Sequence, residues 1–567
     1  MTALKEIQGQ QLNPEQQNYL DGFFAGVQQR AVVFADLFPS LPPAPAAEPE
    51  EEVHLTAEER IKNEEHPLDS YYRLVENAKA GQAPDKEEIF RFKWNGLFFL
   101  TPVKDAFMAR LRIPGGVVKT YQLREIARIA QELTSGYVQI TTRANFQLRL
   151  IKPKDAPEFL RRIQAVGLHT RGSGADNIRN LTCNPTAGVD PQELIDCTPY
   201  LNELADLILS SREFYNLPRK FNIAFDGGGL IGSVEDTNDI GIKAVKVGDE
   251  IAFRIALGGA TGHKAFARDL GVLVPPADIV KTVVALARVF IAHGNRTDRK
   301  RARLKHLLEK WTLDQYLSET EKVLGSTLQR SPLEGLSYPS QDLPHSHIGA
   351  FPQKQPGLYY LGASLPVGQI TPKQMLRLAE IADLYGSGEI RLTVWQNFII
   401  PNIAEAWLET AKKALARQGF GTVQSHVASG IIACTGNRYC KFSSTDTKGH
   451  ALELSKYLEK RVALDQPVNI HVTGCPHSCA QHYMGDIGLL GAKTRDGLEA
   501  YHVLVGGGFG RNAACGRQVY QAMPFDEVKP TLERMLKVYL QHREESETFQ
   551  AFTTRHDLNS LQVLFQA

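Results

Sequence analysis

The chain has 567 residues, 43% of them apolar and 22% charged, enough for several buried cores and too apolar for a disordered polymer. Its 64 basic and 63 acidic side chains leave a formal charge of +1, without the basic excess of a nucleic-acid-binding protein. No apolar run approaches the ~18 residues of a membrane span, since Ile279 to His293 is broken by Lys281 and Arg288, and the N-terminus lacks the apolar stretch of a secretory signal. A cytoplasmic protein without nucleic-acid or membrane partners is expected.

In chain order, residues 1–90 read as an extension. A helical stretch from Pro14 to Arg30 leads into FPSLPPAPAAEPEEE at 38–52, a proline-rich and acidic linker. Thr56-Ala-Glu-Glu59 has capping-box spacing and should start a helix. Globular sequence is clear from Arg91.

An internal repeat follows. A shift of 252 residues aligns Gly116–Phe146 with Gly368–Phe398 without a gap, and ten of 31 pairs are identical. Both copies predict an amphipathic helix, through Leu123, Ile126, Ala127, Ala130 and through Met375, Leu378, Ala379, Ala382. Thr371-Pro372 supplies a cap and a first-turn proline. A strand of period two should follow each helix. Further echoes pair Asn222-Ile223 with Asn469-Ile470, Asp239-Ile240-Gly241-Ile242 with Asp486-Ile487-Gly488-Leu489, and the glycine loops 258–262 and 506–510. The loops recur inside the duplication and read as tight turns of the fold, with no nicotinamide or flavin domain. The fold class is α/β (α+β), duplicated with pseudo-twofold symmetry.

The copies differ in chemistry. In the first-copy strand, Gln139, Thr141, Arg143, Asn145, Gln147 and Arg149 share one face, and the second copy carries Trp395 where the first has Arg143. That row is either a solvated outer face or a site for a polycarboxylate, whose oxygens suit arginine forks. Arg110, Arg112, Arg179, Arg219 and Lys220 add cations to the first half. Arg296 to Lys305 holds six more in ten residues, as a solvated helix face or part of a cofactor lining. The second half holds Cys434, Cys440, Cys475 and Cys479, spaced C-x5-C and C-x3-C with 34 residues between. Structural zinc modules prefer tighter first pairs, and a 4Fe–4S cluster suits the spacing better. Cys183 reads as an inert buried thiol or a neighbour of a cofactor.

The motifs RFKWNGLF, MARLRIPGGV, TTRANFQLR, GADNIRN, CNPTAGVD, LPRKFNIAF, ACTGNRYC and TGCPHSCAQHYMGDIGL resemble the siroheme-containing, ferredoxin-dependent nitrite and sulfite reductases from about residue 56 to the end. The resemblance implies ferredoxin-like half-domains at 91–168 and 345–420, a siroheme-binding domain at 169–335 and a cluster-bearing domain at 421–567. It implies that Cys434, Cys440, Cys475 and Cys479 hold a 4Fe–4S cluster and that the Cys479 sulfur also bridges to siroheme. Arg112, Thr141, Arg143, Asn145, Gln147 and Arg219 would contact the siroheme carboxylates, and Arg110, Arg179, Lys220 and Asn222 would handle the substrate. His477 stands where the family commonly has asparagine. Asn222, two residues after the lysine, is typical of the nitrite enzymes, whereas sulfite enzymes place a second lysine there. The expected reaction is therefore six-electron reduction of nitrite to ammonia in nitrate assimilation. Electrons would come from ferredoxin or a flavodoxin-like carrier, and the enzyme would be a monomer. Assimilatory sulfite reduction is the alternative, and a non-catalytic zinc-stabilised binding protein the remote one.

Overall fold

The computed structural model describes residues 6–7, 10–11, 55–99, 102–103, 105–339 and 347–566. The expected helix at 14–30 and the 38–52 linker lie outside the described residues. Thr56 caps the Ala57–Glu64 helix, its hydroxyl accepting from the Glu59 amide as the spacing predicts. This helix and those at Tyr71–Ala80 and Lys86–Arg91 are built into the body, with Leu74 in the central core.

Two five-stranded sheets form the centre, and each borrows a strand from the other half. One runs Gln369–Ile370, Val138–Ile140, Phe146–Ile151, Phe107–Arg110, Leu97–Phe99. The other runs Gly349–Pro352, Leu358–Ala363, Phe398–Ala404, Glu389–Leu392, Val117–Lys119. The exchanged strands are the duplicated segments just before the amphipathic helices Thr120–Leu133 and Pro372–Tyr385, which pack on one another. Thr371 caps the second helix and Pro372 opens it, as expected. Gly116 and Gly368 permit the exchange. Both have positive φ, and a Cβ would sit 2.5 Å from the Leu392 carbonyl oxygen and 2.7 Å from that of Ile140, respectively.

The single period-two strand expected in each copy is instead a hairpin. Val138 pairs with Leu148 and Gln139 with Gln147, while Arg391 pairs with Ile399. The turns close through Thr141 N–H to Asn145 O, 3.0 Å, and Thr393 N–H to Asn397 O, 2.9 Å. Ala144 and its counterpart Gln396 both hold a positive φ, 49° and 61°. Because Gln139 lies opposite Gln147, the pairing keeps odd-numbered residues on one face. Alternation alone therefore could not distinguish a hairpin from a straight strand.

Each half also carries a mixed sheet of five strands. In the first, Ile223–Asp226 pairs in parallel with Ile240–Val247, followed by Glu250–Leu257, Arg268–Val274 and Gln329–Arg330. In the second, Ile431–Ala433 and Ile470–Thr473 precede Ile487–Lys493, Glu499–Val505 and Arg517–Pro524. Separate cores lie beneath them. The glycine loops are, as read from the sequence, turns joining consecutive antiparallel strands in both halves. The apolar run Ile279–His293 is a helix of the first core. Among the described residues, no helix is long and apolar enough to cross a membrane.

Candidate functional site

The cations of the first half and the cysteines of the second meet at one cleft. Phe221 is buried in the core, so Lys220 and Asn222 on either side of it turn the other way. This segment is fixed along both edges. The Arg179 amide donates to Phe221 O at 2.8 Å, the Asn222 amide donates to Asp239 Oδ2 at 2.8 Å, and the Ile240 amide donates to Asn222 O at 3.0 Å. Arg143 projects from the hairpin turn and donates to Asn238 Oδ1 and Asn180 O, 3.0 Å each. Arg110 ends its strand over the Phe98 ring, 4.9 Å away.

Solvent reaches Arg110, Arg143, Lys220 and Cys479, yet protein surrounds them on every side, as it does the lining of a deep cleft. Burial pushes the Arg143 guanidinium down to about 10, and Arg110 and Arg179 also fall. Lys220 falls to about 7, through burial first and then the Arg303, Arg179 and Arg219 cations. The Cys479 thiol rises to about 12, through burial and the neighbouring Cys434, Cys475 and Cys440. Cys475 rises for the same reasons.

Two loops hold the cysteines, one after each of the two parallel strands. Cys434 follows the Ile431–Ala433 strand, and its sulfur accepts from the Gly474 amide at 3.3 Å. Cys475 follows the Ile470–Thr473 strand, and His477 Nδ1 lies 3.5 Å from its sulfur. Thr142 Oγ1 donates to Cys479 O at 2.9 Å, tying the arginine-bearing turn to the cysteine loop across 337 residues. Gly262 lets the first half's turn approach that loop, since a Cβ there would lie 2.9 Å from the His477 carbonyl oxygen.

Not every expected site residue faces the cleft. Arg112 is buried, and its guanidinium donates to the carbonyls of Arg171, Gly172, Ile178 and Arg179, so it shapes the 171–179 loop. Arg179 is buried and donates to Ser173 O and Ala175 O, leaving its Nε without a partner. Asn145 is buried and donates to Leu111 O at 2.6 Å, while Thr141 bonds to Asn145 within the turn. Gln147 accepts from Arg149 at 2.7 Å. Arg219 stays half-exposed, with Asp176 at 3.5 Å. Cys183 lies in the core beside Cys197, within reach of a sulfur hydrogen bond.

Several residues carry more weight than their sequence context suggested. Asn180 receives the Ile113 amide at 2.7 Å and donates to Ile113 O and Arg143 O, so it locks two cation-bearing loops together. Asp176, fully buried, receives Arg299 at 2.8 and 3.0 Å and has Lys62 at 3.6 Å. The basic run at 296–305 is neither a solvated helix face nor wholly a lining. Arg296 and Arg299 bond to Glu59 and Asp176, Arg301 pairs with Glu309 at the surface, and Arg303 pairs with buried Asp239 at 3.1 and 2.7 Å. Polar residues with partners at this sequence distance give no periodic signal.

The residues present fit two anionic groups. Arg143 and Arg179 each leave a buried Nε unpartnered, and the cleft's cations outnumber its buried acids Asp176 and Asp239. Such a lining is stable only against a ligand with several negative charges. A polycarboxylate such as siroheme would meet that need, and Arg110, Arg143, Arg219 and Lys220 are the residues that could hold it. Thiolates sharing a cuboidal cluster sit farther apart than the ~3.8 Å of sulfurs around one zinc ion. Cys434, Cys440, Cys475 and Cys479, on two loops joined where the Gly474 amide meets the Cys434 sulfur, are the residues that would hold such a cluster.

Comparison with known proteins agrees. The family model "Nitrite and sulphite reductase 4Fe-4S domain" matches residues 174–328 and 428–557. "Nitrite/Sulfite reductase ferredoxin-like half domain" matches 102–166 and 351–418. The chain belongs to the nitrite and sulfite reductase family. It is 36% identical over 460 residues to a ferredoxin–nitrite reductase of Synechococcus elongatus, covering 79% of this chain and 88% of the relative. It is 34% identical over 507 residues to a chloroplastic ferredoxin–nitrite reductase of Zea mays, covering 85% and 89%. The solved NirA protein of Mycobacterium tuberculosis superposes with a TM-score of 0.83 at 28% identity, covering 89% of this chain and 97% of that one.

Proposed function

We propose that the chain reduces nitrite to ammonia, taking six electrons singly from reduced ferredoxin, with siroheme and a 4Fe–4S cluster as its cofactors. The observation that supports this best is the place of Cys479. It is the one exposed thiol of the four, and it interacts electrostatically with the other three cysteines and with Lys220 and Arg110. A sulfur at that junction can belong to the cluster and to the cation-lined cleft at once. The homologous reductases, named for ferredoxin and nitrite and matched over most of their length, supply the substrate and donor. Siroheme, when bound, would supply a redox-active iron, and the cluster would supply electrons one at a time.

The chain's own groups do the rest. Arg143 and Arg219 neutralise carboxylates at the cleft wall, and Arg110 holds the nitrite anion and stabilises charge gathering on its oxygens, while Arg179, bonded to Ser173 O and Ala175 O behind the wall, adds its charge from the second row. Lys220, with its proton affinity lowered to about 7, gives protons to departing oxygen, which leaves as water. Asn222 adds a neutral polar group where a further cation would favour a dianion. We read the enzyme as a cytoplasmic monomer, with a flavodoxin-like carrier able to replace ferredoxin. We divide the chain as the sequence does, into two half-domains and two larger cofactor-binding domains. Turnover of nitrite and sulfite by the reconstituted holoenzyme, side by side, tests the reading. Higher kcat/KM for nitrite with reduced ferredoxin, and none with NADPH alone, is expected. Preference for sulfite would overturn the substrate, and NADPH-driven turnover the donor.

A further inference from the structure

Two cations are buried against the cysteine loops with no carboxylate bonded to them among the described residues. Lys448 lies in the first turn of the Thr447–Glu459 helix and is 6% exposed. Its Nζ donates only to carbonyls, those of Val367 at 2.5 Å and Ala433 at 3.2 Å. Arg149, in the Phe146–Ile151 strand, is 2% exposed. It donates to Gln139 and Gln147 and, at 2.7 Å, to Thr435 Oγ1, and it stands 5.3 Å from the Tyr439 ring. Among the described residues neither forms an ion pair. The hydrogen-bond partners are all neutral, and the one carboxylate whose charge acts on either cation is Asp446, at longer range and on Lys448 only.

Both cations grip the same loop. Ala433 and Thr435 flank Cys434, Tyr439 precedes Cys440, and Thr447, next to Lys448, lies 3.5 Å from the Cys434 sulfur through Oγ1. The duplication shows that the fold does not require the arginine. The strand Phe398–Ala404 starts at the equivalent phenylalanine and carries Pro401 where the first copy has Arg149. A lone buried guanidinium is prohibitive and cannot shed its proton as a lysine can, so Arg149 calls for an anion beside this loop, and the same anion would keep Lys448 charged. Four thiolates around a 4Fe–4S core are net negative in both oxidation states, and more so when reduced.

We propose that Lys448 and Arg149 are the counter-cations of the cluster, holding it in place and raising its reduction potential. This rests on the cysteine assignment above. Because the reduced cluster carries the extra negative charge, removing a nearby cation must disfavour reduction.

The test is an anaerobic redox titration of the holoenzyme, following the cluster's electron paramagnetic resonance signal in Lys448→Met, Arg149→Gln, Lys448→Arg and Arg149→Lys. Each charge-removing variant should lower the reduction equilibrium at least tenfold, which is 59 mV for one electron. The charge-conserving pair should stay close to wild type. Loss of the cluster from the neutral variants alone also supports the proposal, since it shows that charge retains the anion. It is overturned if the neutral variants keep both cluster and potential, or if the conservative variants fall as far as the neutral ones. Absence of any 4Fe–4S signal from the wild type would sink the cysteine assignment instead.

Discussion

The two halves share a backbone and differ in what they place on it. The turn at 141–145 presents Arg143 to the cleft, and its copy at 393–397 presents Trp395, 3% exposed and packed 4.9 Å from Phe509. Asp239 and Asp486 each receive the amide of a duplicated asparagine, at 2.8 and 2.7 Å. Asp239 also holds Arg303, whereas no cation reaches Asp486 among the described residues, and burial pushes its carboxyl up to about 7. One half has kept an anion-binding lining, and the other has filled the equivalent space with aromatic rings. The shared geometry is a matter of fold, and the added cations are the mark of function.

Four experiments break or sharpen this contrast, from the largest effect to the smallest. Cys479→Ser removes the sulfur at the junction of the halves. Turnover should fall by more than ~100-fold even where siroheme is retained in the visible spectrum, because losing a ligand exceeds the usual penalty for its neighbours. Wild-type rates would refute the shared sulfur. Trp395→Arg rebuilds the first half's cation in the sealed copy, where nothing compensates it. Stability in a urea titration should drop by about 3 kcal/mol, with turnover per folded molecule unchanged. A stable, tetrapyrrole-binding second site would contradict the contrast.

The third experiment separates charge from scaffolding at Arg303. Lys220 donates its proton when charged, so the rate it governs declines as pH rises through its pKa. Arg303 lowers that pKa and Asp239 offsets Arg303. Arg303→Gln should therefore move the alkaline limb of kcat up by about one unit, and Asp239→Asn should move it down. Simple loosening of the cleft would hydrate Lys220 and move both limbs up. The fourth, Asn222→Lys, tests selectivity. A further cation at about 4 Å, discounted for screening, is worth ~1 kcal/mol, or roughly fivefold in the sulfite-to-nitrite ratio of kcat/KM. An unchanged ratio would show that Asn222 does not discriminate.

Much of this was legible in the amino-acid order. The 252-residue shift revealed the duplication, and the aligned segments are the ones whose strands exchange. Thr56 and Thr371 announced their helices, because capping is local chemistry between residues three apart. Cys-x3-Cys and Cys-x5-Cys marked the second half's role, and the arginines the first half's. The hairpins were hidden because antiparallel pairing preserves the alternation of faces. The duties of Arg112, Asn180, Asp176 and Arg303 were hidden because their partners lie from 37 to 123 residues away, where no sequence period reports them.

The sequence by itself therefore determined which residue types each half contributes: thiolates in one, excess cations in the other, on one repeated scaffold. Only the tertiary structure decided which cations remain free to meet a ligand. Arg112 spends its donors on four backbone carbonyls, while Arg143 keeps a buried Nε for something else. Capping and alternation act within a few residues, but a guanidinium's spare hydrogen bonds depend on which distant carbonyls the folded chain brings to it.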